Sequence, residues 1–199
     1  MNQVKIEKLE AEIKELHYHP EITSHSLNLS TEEITELYKG FWDVHIKPVI
    51  DYSKAMALKY EADLEIVWLG ALLHDIARLE DREPHEEFGS QMAYDLLIKN
   101  GFDQELATNV RDTVLSHRCT KYPPQTIEQK IVASADAMAH FLQPFYIWVN
   151  RYPKRTFDET LFINFNKIER DYNEKIFFAD EKKLVEAKYL TLKDWFNKL

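Results

Sequence analysis

Apolar residues recur every three or four positions along most of this chain, which is the spacing of helices that bury one face. Ile6, Leu9 and Ile13 form an early example, with charged residues between them. The 199 residues include only 4 glycines and 7 prolines, too few for the tight turns that a many-stranded sheet requires. The sequence therefore predicts an all-α fold in a single domain.

Charge and composition narrow the function classes. The chain has 34 acidic and 25 basic side chains, a formal charge of −9, which disfavours binding to duplex nucleic acid. Its apolar runs are too short to cross a bilayer, and the N-terminal residues lack the apolar core of a secretory signal. The single cysteine, Cys119, excludes an internal disulfide. We expect a cytoplasmic protein without membrane partners, and leave open whether it forms a homo-oligomer.

Local signals place several helix starts. Ser30 with Glu33 and Thr126 with Gln129 have the spacing of capping boxes. Asp63 is a predicted N-cap for an apolar helix over residues 64–79, which we expect to be the central helix. Asp103 and Asp180 are predicted to cap two later helices, the second of them the last in the chain.

Titratable residues fall on faces that the helical spacing assigns to the core. His45, His85 and His117 continue apolar stripes, Asp136 follows Val132 by four residues, and residues 74–75 close the apolar run 67–73. A lone buried histidine is commonly satisfied by a carbonyl, but an unpaired buried carboxylate costs several kcal/mol. One or two divalent cations would satisfy all of these groups together. The pattern therefore predicts a metal site.

The donor types restrict the cation. Without a thiolate cluster, a cysteine-type structural zinc site is excluded. Imidazole and carboxylate donors suit Mn, Fe, Co, Ni or Zn, and Mg suits the side richer in oxygen. The sequence does not choose among these ions.

Four short segments carry a family resemblance. They read ALLHDIAR at residues 71–78, HEEFGS at 85–90, VLSH at 114–117 and SADAM at 134–138, with His45 ahead of them. In this order they resemble the HD-domain superfamily of metal-dependent phosphohydrolases, over about half of the chain. The resemblance implies a single-domain helical bundle with an N-terminal helical extension (1–40), an HD-type metal-binding core (41–142) and C-terminal helices packed on the same domain (143–199).

The resemblance also implies the roles of the site residues. The expected ligands of a first divalent ion are His45, His74, Asp75 and Asp136. His85 and His117 lie beside it, where they would bind a second ion or the substrate phosphate.

The implied reaction is hydrolysis of a phosphate ester of a small molecule, expected to be a nucleotide, by attack of metal-activated water. Asp75 is the candidate for orienting this water, while His85 and His117 donate to the phosphate or protonate the leaving oxygen. Arg78 and Arg118 would supply forked donors to phosphate oxygens, both as catalytic and as substrate-binding groups, with Lys121 as a looser charge. In the cyclic dinucleotide branch of the superfamily a second histidine stands at the position of Arg118. Cyclic dinucleotides are therefore less favoured as substrates.

Two alternatives stay open. Di-iron oxygenases of the same superfamily use the same six ligand types, but the interval of 10 residues from Asp75 to His85 looks short for them, so hydrolysis is favoured. A noncatalytic regulatory module would keep the metal for structure and predicts a pocket closed to solvent.

Other features are expected to matter less. His17, His19 and His25 are assigned to an N-terminal loop, and His140 is expected to be ordinary. The aromatic group just past Asp136 is expected to be core, although it could form a wall that stacks on a nucleobase. This group comprises Phe141, Phe145, Tyr146, Trp148 and Tyr152.

Overall fold

The structure is a computed structural model that describes residues 2–21, 28–152 and 155–197. The described residues contain ten α-helices and no strand, so the all-α prediction is confirmed. The helices are α1 (Gln3–Tyr18), α2 (Thr31–Phe41), α3 (Lys47–Lys59), α4 (Leu64–Leu73), α5 (His85–Lys99), α6 (Gln104–Ser116), α7 (Ile127–Leu142), α8 (Phe145–Val149), α9 (Phe157–Arg170) and α10 (Ala179–Phe196).

Helices α4 and α7 form the centre of the bundle. Residues 67–77 and 131–141 are buried without interruption. Helix α3 packs on both, α6 packs on α4 and α5, and α10 packs on α7 and α9. Helix α1 lies against α2 and α4, where Trp68 Nε1 donates to Glu10 at 2.6 Å. Within the described ranges, no helix combines the length and apolar character needed to span a membrane.

The predicted central helix is shorter than expected. Asp63 caps it as predicted, accepting hydrogen bonds from the backbone amides of Glu65 and Ile66. The prediction that it runs to Leu79 is wrong, because α4 ends at Leu73 and a 3-10 turn follows over Ile76–Glu80. Asp75 leaves the α-helical region with φ −114°, and its carbonyl accepts from the amide of Arg78 three residues on.

Two π-helical turns complete the framework. One, Trp42–Ile46, joins α2 to α3, and the other, Asp171–Lys175, follows α9. Such wide turns are rare and are often found at functional sites. Here they carry polar residues that face the interior, namely His45 in the first turn and Asp171 and Lys175 in the second.

Most of the helix starts are as predicted. Ser30 and Thr126 form the two capping boxes, and Asp103 caps α6. Asp180 does not cap α10, whose N-cap is Phe178. The Phe178 ring stacks on Tyr60 with centroids 4.2 Å apart, which fixes the helix start one residue before Asp180.

The prediction that His17 lies in an N-terminal loop is wrong. Helix α1 extends to Tyr18, so His17 lies on its last turn and is buried, while His19 follows the helix directly. His25 lies outside the described residues. The ring of His17 packs against Phe41 and Trp42, so this histidine belongs to the core and not to a loop.

Candidate metal centre

Asp75 lies between two pairs of imidazoles. Its Oδ2 is 3.6 Å from Nε2 of His45 and 3.6 Å from Nε2 of His74. Its Oδ1 is 3.1 Å from Nε2 of His85 and 3.7 Å from Nε2 of His117. The carboxylate is buried, so each of its oxygens faces one pair of ring nitrogens.

His45 also lies close to Asp136, the remaining predicted ligand. Its Nε2 lies 3.1 Å from Nε2 of His74 and 3.4 Å from Oδ1 of Asp136. Ligand atoms that share a cation at about 2.1 Å stand roughly 3.0–3.4 Å apart. The spacing of these side chains therefore matches the edges of a coordination sphere.

Five separate parts of the chain bring these residues together. His45 comes from the π-helical turn before α3, and Asp136 from the middle of α7. His74 and Asp75 follow the end of α4, His85 is the first residue of α5, and His117 follows α6. The break in the predicted central helix is therefore what presents His74 and Asp75 to the others.

Hydrogen bonds to backbone carbonyls hold the rings of His74 and His117 in the tautomer that can bind a metal through Nε2. His74 Nδ1 donates to the carbonyl of Ala71 at 2.8 Å, and His117 Nδ1 donates to that of Val114 at 2.6 Å. A carbonyl can only accept, so the proton is on Nδ1 and the lone pair on Nε2. Burial lowers the pKa of both rings, which keeps them neutral near pH 7.

The carboxylates are ionised although they are buried. Burial acts to raise the pKa of Asp75, but Arg78 and the neighbouring histidines outweigh it and hold this pKa well below its usual value. Lys175 does the same for Asp136. Asp75 Oδ1 makes no hydrogen bond despite its burial. Arg78 Nε lies 3.2 Å from this oxygen and offsets part of its charge, and the imidazoles of His85 and His117 also face it. A carboxylate and imidazoles brought together in this way are donors that suit a divalent cation.

The centre lies in the wall of a cavity of about 950 Å³. The cavity reaches the surface beside Arg78, whose side chain is 41% exposed, and Arg118, whose side chain is 33% exposed. The side that the C-terminal residues provide is basic and contains Arg155, Lys167, Arg170 and Lys175.

The structure brings two of the three predicted phosphate-binding cations into the cavity. Arg78 Nε is 3.2 Å from Asp75 Oδ1, and an Arg118 nitrogen is 2.9 Å from Glu86 Oε2. Lys121 is not among the described residues that line the cavity. Its side chain is 65% exposed, and its Nζ pairs with Glu87 at 2.8 Å.

The predicted aromatic group divides between core and cavity. Phe141 and Tyr146 are buried in the core, whereas Phe145, Trp148 and Tyr152 also line the cavity. These three rings add apolar surface to the lining of the cavity.

Sequence reasoning missed three polar residues beside Asp136. His140 Nε2 lies 3.3 Å from Asp136 Oδ1, and His140 Nδ1 lies 2.8 Å from Asp171 Oδ2. Lys175, almost fully buried, donates a short hydrogen bond to Asp136 Oδ2. The spacing of four residues from Asp136 to His140 on one helix face could have identified His140. No local signal identifies the other two, which come from a distant turn.

Several known proteins are similar to this chain in sequence. The sequence profile of the family described as HD domain matches residues 42–140. An uncharacterised protein of Methanocaldococcus jannaschii is 33% identical over 127 residues, which cover 55% of this chain and 68% of that protein. A tRNA (cytidine(56)-2'-O)-methyltransferase of Thermoplasma volcanium is 35% identical over 104 residues, which cover 46% of this chain and only 30% of that enzyme.

A solved structure has the same overall fold. It is the crystal structure of a predicted HD superfamily hydrolase from an uncultured Thermotogales bacterium, with a TM-score of 0.60 and 20% sequence identity. The match covers 96% of this chain and 89% of that one. The solved structure shows the shared fold, and the family profile shows that the chain belongs to the HD-domain superfamily.

Proposed function

We propose that this protein is a metal-dependent phosphohydrolase that cleaves a phosphate ester of a small molecule, with a nucleotide as the expected substrate. One observation carries the proposal: the ionised Asp75 faces two pairs of imidazoles in the wall of an open, partly basic cavity. The centre is buried, so we expect a small phosphorylated molecule to reach it, whereas a duplex nucleic acid or a membrane would not.

The six predicted residues form two overlapping sets. His45, His74, Asp75 and Asp136 would hold a first divalent cation, and Asp75, His85 and His117 would hold a second. Such a cation lowers the pKa of a coordinated water towards neutrality and offsets negative charge on phosphoryl oxygens. Because Asp75 belongs to both sets, we assign it the role of orienting the attacking water.

The arginines at the cavity mouth are suited to bind the phosphate. Arg78 is held between Asp75 and Glu83, with a nitrogen 3.2 Å from each carboxylate, so its guanidinium has a fixed direction. Arg118 is held in the same manner by Glu86. A guanidinium fixed in this way can donate two parallel hydrogen bonds to phosphate oxygens.

His85 is placed to carry a proton. Its Nε2 lies 3.1 Å from Asp75 Oδ1 and its Nδ1 lies 3.0 Å from Glu83 Oε2. Both ring nitrogens face carboxylates, and we assign to His85 the delivery of a proton to the leaving oxygen. His117, whose lone pair is on Nε2, is better suited to bind a cation or to accept a hydrogen bond.

The remaining walls favour a nucleoside as the leaving group. Trp148 and Tyr152 give flat apolar surfaces, and Asn150 and Asn164 add amide groups in the same cavity. Aromatic rings stack on bases, and amides bond to base or sugar edges. A cavity of about 950 Å³ is within the usual range for ligand pockets.

Phosphate release tests the reaction. Purified protein is incubated with a panel of nucleotides and Mn²⁺, Co²⁺, Ni²⁺ or Mg²⁺, and compared with the Asp75→Ala variant. We expect a loss of turnover of roughly a hundredfold or more, since Asp75 serves both ion sets. The matched control is Asp95→Asn, which changes an exposed carboxylate on α5 and should retain full turnover.

Two results would contradict the proposal. Asp75→Ala with wild-type turnover would remove Asp75 from the reaction. Oxygen consumption by the iron-loaded protein, without phosphate release from any nucleotide, would favour the di-iron oxygenase alternative. The noncatalytic alternative predicts a closed pocket, which differs from the open cavity seen beside Arg78 and Arg118.

A further inference from the structure

A buried carboxylate stands behind His140, on the side of the centre formed by the C-terminal residues. Asp171 is 0% exposed, and its Oδ2 lies 2.8 Å from Nδ1 of His140. Lys167 and Arg170 each place a nitrogen 3.0 Å from the same carboxylate. These contacts compensate the charge of Asp171 and fix its position.

Asp171 determines where the proton of His140 sits. An ionised carboxylate can only accept, so Nδ1 of His140 carries the hydrogen. The ring is buried, and this hydrogen bond holds it in one orientation. The lone pair is then on Nε2, as it is in His74.

This lone pair points at atoms of the proposed metal centre. His140 Nε2 is 3.3 Å from Asp136 Oδ1, and its ring stacks on that of His45 with centroids 5.0 Å apart and 3° between planes. Ligand atoms of His45, Asp136 and His140 all lie within 4.8 Å of one another.

Lys175 limits what Asp136 can contribute. It occupies Oδ2 of Asp136, which leaves Oδ1 to face the two imidazoles. A neutral imidazole lone pair and a carboxylate oxygen at 3.3 Å repel one another unless a cation lies between them. A ring held by a carboxylate on one nitrogen and aimed at a cation with the other is a common arrangement in metal sites.

We propose that His140 is a further ligand of the first cation, which it shares with His45 and Asp136, and that Asp171 is the positioning residue for its ring. The inference rests on the cation centre of the proposed function and is independent of the phosphatase reaction.

Binding of Co²⁺ to the metal-free full chain tests this directly. Dissociation constants are measured by titration, and the visible spectrum of bound Co²⁺ reports its donors. We expect His140→Ala to weaken Co²⁺ binding at least roughly tenfold and to change the spectrum, because one nitrogen donor is lost. Asp171→Asn should weaken binding by a smaller factor, with the spectrum nearly retained.

The matched control is His17→Ala. His17 is as buried as His140, but its Nε2 has no hydrogen-bond partner and its ring packs against Phe41 and Trp42. It should bind Co²⁺ as the wild type does. If His140→Ala fails to fold, judged by circular dichroism in chelator, His140→Gln retains much of the side-chain volume and should show the same weakening and spectral change.

The outcomes separate this inference from the proposed reaction. Wild-type Co²⁺ affinity and spectrum in the folded His140 variant would overturn it, even if nucleotides are hydrolysed. Weaker binding and a changed spectrum would support it, even if no phosphate is released from any nucleotide. A wild-type protein that binds no Co²⁺ would overturn both.

Discussion

His17 and His74 show how similar residues in a sequence acquire different roles. In each, Nδ1 donates to a backbone carbonyl and the ring is buried. Nε2 of His74 faces His45 and Asp75, whereas Nε2 of His17 has no hydrogen-bond partner. His17 lies on the last turn of α1 and His74 directly follows α4, and both have apolar neighbours. The difference therefore comes from tertiary contacts that local spacing does not contain.

His17 should make the stability of the metal-free protein depend on pH. Burial lowers its pKa from 6.5 to about 4. The unfolded chain therefore binds more protons between these values, and stability falls as the pH drops from 6.5 towards 4. Relative to His17→Phe, we expect the wild type to lose about 2 kcal/mol more unfolding free energy between about pH 7.5 and 5.

Urea denaturation in chelator at several pH values measures this difference. The Phe variant keeps a ring against Phe41 and Trp42 while removing the titrating group. Parallel pH profiles for the two proteins would show that His17 is not a source of acid sensitivity.

Arg118 and Lys121 form a matched pair for the phosphate-binding assignment. Both lie near the end of α6, but only Arg118 lines the cavity. We expect Arg118→Ala to raise KM for the phosphorylated substrate roughly tenfold or more, because a charged hydrogen bond is lost and buried Glu86 is left unpaired. Lys121→Ala should change KM less than about twofold. Equal effects in steady-state kinetics would contradict the assignment of Arg118.

The sequence predicted many of the candidate metal ligands but not the residues that hydrogen-bond to them. His45, the pair at residues 74–75 and Asp136 are recognisable because each falls on an apolar face within a family-like segment. Asp171 lies 31 residues from His140, and Lys175 lies 39 residues from Asp136. Nothing local relates such distant residues, because only the packing of the π-helical turn Asp171–Lys175 on α7 brings them together.

At the scale of the element, the break after α4 matters most. Periodicity correctly identified the apolar helix and its Asp63 cap. It could not show that the helix ends at Leu73, because Ile76 and Ala77 beyond the break are also buried. Apolar spacing reports burial, and burial persists here through a change from α-helix to 3-10 turn.

Two helical glycines should respond differently to alanine. A Cβ on Gly70 of α4 would come within 2.7 Å of Thr113 Cγ2, and Thr113 is held by its hydrogen bond to the carbonyl of Asn109. A Cβ on Gly89 of α5 would meet its neighbours at 3.6 Å, an ordinary contact. We expect Gly70→Ala to lower the unfolding free energy by about 1–3 kcal/mol.

Gly89→Ala is the control for this pair. Alanine has the higher helix propensity, so this variant should be as stable as the wild type or more stable by up to about 1 kcal/mol. Denaturant midpoints measure both changes. A stable Gly70→Ala protein would mean that α4 and α6 are not packed as closely as the structure shows.

On the scale of the whole molecule, charge is distributed unevenly. The chain carries a formal charge of −9, yet the C-terminal side of the cavity has four basic side chains. Three of them neutralise Asp136 and Asp171, so the inner carboxylates and the outer cations form one network. A divalent cation added to this network would leave the cavity attractive to an anion.

The most direct test of the central claim is the position of bound metal. Crystals grown with Mn²⁺ and measured for anomalous scattering should show a peak within about 2.5 Å of the nearest oxygen of Asp75 and of Nε2 of His45 and His74. The proposed metal centre would also give a second peak between Asp75, His85 and His117 when both ion sets are filled. Anomalous density confined to other parts of the molecule, with none beside Asp75, would contradict it.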